Sequence, residues 1–162
     1  MTGRQQAIRL QFGALPYRFR QDGSLEILLV TSRRTRRWII PKGWAIKHKT
    51  PAKSAAREAY EEAGVRGTVT ARSIGSFVYD KWLDADSVSV PCEVHVFPLE
   101  VERQRRTWPE QSEREIRWLD PDAALLLVEE PGLRSLICEF QESVAARRGR
   151  THSGLIGRPI PG

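Results

Sequence analysis

The stretch Thr50-Pro51-Ala52-Lys53-Ser54-Ala55-Ala56-Arg57-Glu58-Ala59-Tyr60-Glu61-Glu62-Ala63-Gly64 carries its own start and stop signals. Thr50 is suited to the N-cap, Pro51 to the first helical position and Gly64 to the residue just past the end, so a helix is predicted over 51–63. Ala52, Ala55, Ala56, Ala59 and Ala63 recur at three- and four-residue spacing and form one stripe of small side chains that lets the helix lie close to a sheet. Glu58, Glu61 and Glu62 gather on a second face, turned roughly 120° from the alanines and expected to be exposed. Like charges at this spacing oppose one another, so three carboxylates cost stability unless a cation answers them. Arg57 can answer one. An oxygen-only set suits Mg²⁺, with Mn²⁺ as the alternative. The bland alternative for an acidic triplet is a solvated helix face.

Around this helix the sequence alternates strands and turns. A strand is expected over Ala7–Phe12 and Leu15–Phe19, ending at Gln21-Asp22-Gly23-Ser24. A second strand, buried on both faces, is expected over Leu25–Thr31, and a short one over Trp38–Ile40, stopped by Pro41 and Gly43. Strand patterns follow at Thr68–Tyr79, Val88–Val101 and Ile116–Leu119, with helices at Pro121–Val128 and Pro131–Ala146. This order predicts an α+β layered domain with a mixed sheet between helices.

The spacing before the helix adds a second signal. Thirteen residues separate Gly43 from Arg57-Glu58, and Ala59-Tyr60-Glu61-Glu62-Ala63-Gly64-Val65 follows. This pattern resembles the box that defines the Nudix hydrolases: Gly43, Arg57, Glu58, Glu61, Glu62, Gly64 and Val65 occupy its fixed positions. The resemblance implies a Nudix-like α/β/α sandwich, a loop-helix-loop catalytic motif and a pyrophosphohydrolase. It implies that Glu58, Glu61 and Glu62 are metal ligands for Mg²⁺ or Mn²⁺ and that Glu61, Glu62 and Arg57 act in catalysis, Arg57 by orienting a glutamate. Glu61, Glu62 or a later carboxylate such as Glu93 is a candidate general base. One position departs from the box: its first glutamate is here Lys49. Lys42, Lys47, His48 and Lys49 make the loop before the helix cationic, so it is a candidate for an extra phosphate contact.

Similarity extends over roughly residues 13–140. Leu28–Arg33, Arg37–Gly43, Trp108-Pro109-Glu110 and Arg114–Trp118 look like the branch that hydrolyses diphosphoinositol polyphosphates and diadenosine polyphosphates. That likeness implies phosphate contacts at Arg9, Ser32, Arg33 and Arg114, with Lys42 and Gly43 shaping the wall beside the phosphates. Trp44, Tyr17 and Tyr79 are candidates to stack on a nucleobase. The expected function is Mg-dependent hydrolysis of a phosphoanhydride bond, with a dinucleoside or diphosphoinositol polyphosphate favoured as substrate. Nucleoside triphosphates and nucleotide sugars are alternatives, and Lys49 motivates a further one, a Nudix-fold binding module with impaired catalysis.

Composition sets the outer bounds. The 162 residues fit one domain, expected over 1–146, and the apolar content of 40% is enough for a core. Residues 147–162 form an expected flexible tail, whose Arg147, Arg148, Arg150 and Arg158 account for four of the six net positive charges. With so much of the charge there, and no aromatic-basic motif, a small phosphorylated molecule is expected as partner rather than nucleic acid. No apolar run is long enough to span a membrane, and the first residues, MTGRQQAIRL, lack the apolar stretch of a secretory signal. Cys92 and Cys138 are isolated and expected to be reduced. A cytoplasmic monomer or homodimer is expected.

Overall fold

The computed structural model describes residues 7–83 and 88–153, residues 150–153 by their backbone alone. Strands β1 (Arg9–Phe19), β2 (Leu25–Thr31), β3 (Trp38–Ile39) and β4 (Lys42–Trp44) precede helix α1 (Pro51–Ala63). Strands β5 (Val65–Val69), β6 (Gly75–Leu83), β7 (Val88–Gln104) and β8 (Ile116–Leu119) follow, and helices α2 (Pro121–Leu127) and α3 (Pro131–Ser153) close the fold. The sheet runs β3-β2-β1-β7-β5, with β4 also paired to β1, β6 to β7 and β8 to β2. Among the described residues only β1 and β7 run parallel and every other pairing is antiparallel, so the sheet is mixed, as the element order predicts.

Two cores lie on opposite faces of this sheet. Phe12, Ala14, Leu28, Val30, Phe97 and Leu99 meet the α1 alanines Ala52, Ala55, Ala59 and Ala63. Ile27, Leu29, Val94 and Val96 meet Leu133, Leu136, Ile137 and Phe140 of α3. The alternation of Ile27, Leu28, Leu29 and Val30 between the two cores is the double-sided burial expected of β2.

The differences from the predicted elements have local causes. Strand β3 ends before Pro41, as expected, but the chain pairs again at once: the Pro41 carbonyl accepts the Ala14 N–H at 2.9 Å and Gly43, in β4, pairs with Phe12. The pattern read as one strand over Thr68–Tyr79 is two strands, β5 and β6, both lying against β7. Helix α3 continues past Ala146 to Ser153, so the boundary expected at 147 is not a break in the backbone. Arg148 donates to the Gly23 carbonyl and stacks over Phe19 at 3.9 Å, which ties this part of the expected tail to the turn after β1. Residues 154–162 of that tail lie outside the described residues.

Candidate active site

Helix α1 forms as its caps dictate. Thr50 Oγ1 accepts the Lys53 N–H at 3.3 Å, and Gly64 takes the left-handed conformation, φ 68°, with its N–H given back to the last turn. Glycine is required at 64 for a second reason: a Cβ there would lie 2.4 Å from the Trp108 ring. Trp108 belongs to the segment between β7 and β8, which folds over the end of α1 and satisfies its open carbonyls. Trp108 Nε1 donates to the Glu62 carbonyl (3.2 Å), Gln104 Nε2 to Ala63 (2.9 Å), the Arg105 N–H to Gly64 (2.8 Å) and the Glu110 N–H to Glu61 (2.9 Å).

That docking changes the character of the glutamate face. Glu62, expected on an exposed face, is buried, 4% exposed. Its Oε1 meets Arg114 Nη2 at 3.1 Å and its Oε2 accepts the Lys42 N–H at 3.3 Å. Burial pushes the Glu62 carboxyl up, opposed by Arg114 and Lys42, and pushes the Lys42 ammonium down, opposed by Glu62. Glu61 is partly exposed and accepts Arg57 Nε at 2.9 Å, the orienting ion pair implied for Arg57. Glu58 is half-buried, and no ion pair or hydrogen bond reaches its carboxylate among the described residues. Burial, Glu61 and Glu110 push its carboxyl above the usual range.

These carboxylates open onto a cavity of about 790 Å³. Glu58, Glu61, Glu62, Asp80, Glu110 and Glu130 supply its acids; Arg33, Arg34, Arg37, Lys42, Lys81 and Arg114 supply its cations. Ser32 and Gly43 line it as well, so five of the six expected substrate contacts reach the same space. Ser32 also closes the turn that carries Arg33, Arg34, Arg36 and Arg37, its Oγ lying 2.6 Å from Thr35 Oγ1 and accepting the Arg37 N–H at 3.1 Å. Arg33 and Arg37 are steadied by acids, Arg33 by Glu110 (3.7 Å) and Glu113 (3.6 Å), Arg37 by Glu129 (3.4 Å) and Glu130 (3.8 Å).

Several expected contacts fall elsewhere. Arg9 shares a strand face with Gln11, which lines the cavity, but stands two residues farther out, ~7 Å along the strand, and does not line it. Lys49 lines a different depression, with Lys53 and Arg57, while Lys47 and His48 line neither, so the loop before α1 does not act as one cationic wall. Glu93 accepts from Ser76 Oγ at 2.9 Å, lies 3.5 Å from His95 and is not among the residues lining the cavity. Tyr17 packs against Phe140 in the core at 4.9 Å. Tyr79 lines the cavity but donates to Gln11 at 2.7 Å with the Lys42 ammonium over its ring, and Trp44 stands 40% exposed at the cavity under Lys81. Glu110, Lys81 and Trp82 are cavity residues the sequence reading did not select for the site. The Trp108-Pro109-Glu110 run was the one available pointer to Glu110.

The donor set fits a divalent cation of the Mg²⁺ kind: it is all carboxylate oxygen, and one member, Glu58, has no cation of its own. In the present side-chain arrangement no three His, Cys, Asp or Glu side chains converge on a point among the described residues. Glu61 is turned to Arg57 and Glu62 to Arg114. Gly43 belongs to the same design, because a Cβ there would lie 2.5 Å from the Glu58 carboxylate. Gly43→Ala is therefore expected to push that flexible carboxylate aside, lowering kcat at least ~10-fold while the melting temperature moves little. A variant with unchanged turnover would show that the position of Glu58 is immaterial.

A NUDIX domain model matches residues 8–140. Nudix hydrolase 13, mitochondrial, of Arabidopsis thaliana is 32% identical over 158 residues, covering 88% of this chain and 78% of that protein. Diphosphoinositol polyphosphate phosphohydrolase 2 of Rattus norvegicus is 45% identical over 60 residues, 36% of this chain and 33% of that protein. Among solved structures, a C. elegans Ap4A hydrolase binary complex superposes with a TM-score of 0.66 at 20% identity, covering 86% of this chain and 99% of that one.

Proposed function

The chain belongs to the NUDIX domain family and is a hydrolase of phosphoanhydride bonds, and on that premise we propose that it cleaves a small molecule carrying a chain of phosphates, using Mg²⁺. The observation that carries this reading is the pairing of six carboxylates, Glu58, Glu61, Glu62 and Glu110 among them, with six cationic side chains around one cavity of about 790 Å³. Such a cavity binds polyanions at its cationic wall and a divalent ion at its acidic one.

Glu58, Glu61 and Glu62 are the residues that would hold the ion, with Glu110 beside them. When bound, the ion polarises the phosphate and lowers the pKa of an attacking water. The chain's own residues supply the rest. Arg57 holds the Glu61 carboxylate in one orientation through its ion pair. Arg114 fixes Glu62 and Glu110 together, at 3.1 and 3.2 Å. Arg33 and Arg37, set by the Ser32 turn, offer guanidinium forks to outer phosphates. Glu110 replaces Glu93 as the later carboxylate able to accept a proton, because it lines the cavity and Glu93 does not.

Within this class a dinucleoside polyphosphate is favoured over a diphosphoinositol polyphosphate. Trp44 and Trp82 stand 40% and 51% exposed beside the cationic cavity, a surface suited to a nucleobase. Lys49 gives no support to a binding module without turnover, because it lies outside the cavity and displaces none of its carboxylates. A cytoplasmic site of action goes with this reading, supported by two free cysteines. No helix among the described residues is long and apolar enough to cross a membrane.

The test is a hydrolysis screen over dinucleoside polyphosphates, diphosphoinositol polyphosphates, nucleoside triphosphates and nucleotide sugars, with products separated to identify the bond broken. Turnover is expected to require added Mg²⁺ or Mn²⁺ and to stop with chelator. The circular dichroism spectrum is expected to survive chelation, since α1 is capped and packed by the chain's own groups. Hydrolysis that persists in chelator, or unfolding by it, would overturn the metal assignment.

A further inference from the structure

A second depression, of about 220 Å³, lies beside α1 on a face turned roughly 130° from the glutamates. Its cations are Lys49, Lys53, Arg57 and Arg66, its floor is the buried pair Val65 and Leu99, and no acidic residue lines it. We propose that this depression is a separate binding site for an oligophosphate anion, outside the hydrolytic cavity and adjoining it through Arg57.

Three observations converge on it. Lys49, Lys53 and Arg66 have no ion-pair partner among the described residues, although the chain carries 20 acidic side chains that could have supplied one. Lys53 sits in the first turn of α1, where no acidic residue occurs. A cation at that end opposes the helix dipole, and an anion drawn there relieves both charges.

Arg66 is aimed at the depression by the backbone. The β5–β7 register shifts between Arg66 and Gly67, and Gly67 approaches β7 so closely that a Cβ would lie 1.8 Å from the Glu100 carbonyl oxygen. Such an irregularity re-aims the side chain beside it. The Arg66 guanidinium lies 4.0 Å from the centre of the Tyr60 ring, and that of Arg57 lies 5.3 Å from it. The Tyr60 ring is thus in contact with the guanidiniums of both arginines. Arg57 gives its Nε to Glu61 and keeps its terminal nitrogens for this side.

Four cations around so small a volume call for several negative charges close together. With Tyr60 already stacked by guanidinium, the recognised group is the phosphate chain and no base is required. The ligand is therefore tripolyphosphate itself or the triphosphate end of a nucleotide, and the two sources are compared directly below.

The test titrates the metal-free full chain with inorganic tripolyphosphate, followed by amide NMR shifts and calorimetry. The amides of Lys53, Arg66 and Gly67 are expected to move. The double variant Lys53→Glu, Arg66→Glu should weaken that binding event at least tenfold, whereas Arg33→Glu in the hydrolytic cavity should leave it unchanged. Lys53→Glu places an acid in the first turn of α1, so α1 is not expected to lose stability, and Lys53→Gln, Arg66→Gln provides a milder second variant. ATP should bind this site within threefold of tripolyphosphate. Hydrolysis by either double variant should stay within twofold of the parent chain. Shifts confined to cavity residues, tripolyphosphate affinity unchanged in both double variants, a tenfold preference for ATP, or a tenfold loss of hydrolysis would each overturn the assignment. The hydrolase reading stands apart from this one, because it is decided by the substrate screen in the presence of metal.

Discussion

Glu58→Gln is expected to lower kcat at least ~100-fold while leaving the protein as stable as the parent chain or more so. The two effects part because of where Glu58 stands. It lies against the Gly43 backbone and makes no ion pair among the described residues. Its nearest electrostatic neighbours include Glu61 and Glu110, which oppose its charge. Glutamine keeps the shape, removes the repulsion and removes one anionic ligand oxygen. The comparison is made by kinetics over a range of Mg²⁺ concentrations together with thermal unfolding in chelator. A variant that retains kcat within a few-fold at all metal concentrations would remove Glu58 from the site. A large drop in melting temperature would mean that its carboxylate is structural instead.

Arg114→Met is expected to give the largest loss of stability, ~3–5 kcal/mol, because it strands a buried carboxylate. For a domain of this size that is on the order of 10 °C in melting temperature. Arg114 meets Glu62 at 3.1 Å and Glu110 at 3.2 Å, and its Nη1 donates to the Thr31 carbonyl at 3.0 Å. One side chain thus joins β2, the C-terminal end of α1 and the segment before β8. If the stranded charge dominates, Glu62→Gln added to Arg114→Met should recover a substantial part of the loss. The double-mutant cycle measures that recovery. Additive losses would mean that Arg114 acts through packing and the Thr31 contact rather than through Glu62. The same pair corrects the expectation that Glu62 lies on an exposed face: removing its charge perturbs a buried network, so Glu58→Gln is the cleaner probe of the metal site.

What the sequence determined by itself was chiefly local. Thr50, Pro51 and Gly64 bound α1 at the residues where the structure begins and ends it, because capping is decided within one turn. Strands β2 and β8 also begin and end where their patterns predict, since a dense apolar run between turn signals leaves little choice. The shared helix face of Glu58, Glu61 and Glu62 was legible for the same reason, as was the family, because both are written in fixed spacing along one segment.

Only the tertiary structure made those three glutamates unequal. The segment between β7 and β8 folds over the end of α1, burying Glu62 against Arg114, bringing Glu110 into the cavity and leaving Glu58 without an ion pair among the described residues. No local pattern encodes an approach between residues some fifty positions apart in the chain. It likewise made Lys42–Trp44 a strand, since pairing with β1 outweighs the turn preference of Pro41 and Gly43. It moved Lys49 out of the cavity and grouped it with Lys53, Arg57 and Arg66, because a helix three and a half turns long presents separate faces to separate surroundings. Spacing determines which side chains share a helix face; the partner that packs against each face, and whether it brings water, a cation or another acid, is decided by long-range packing.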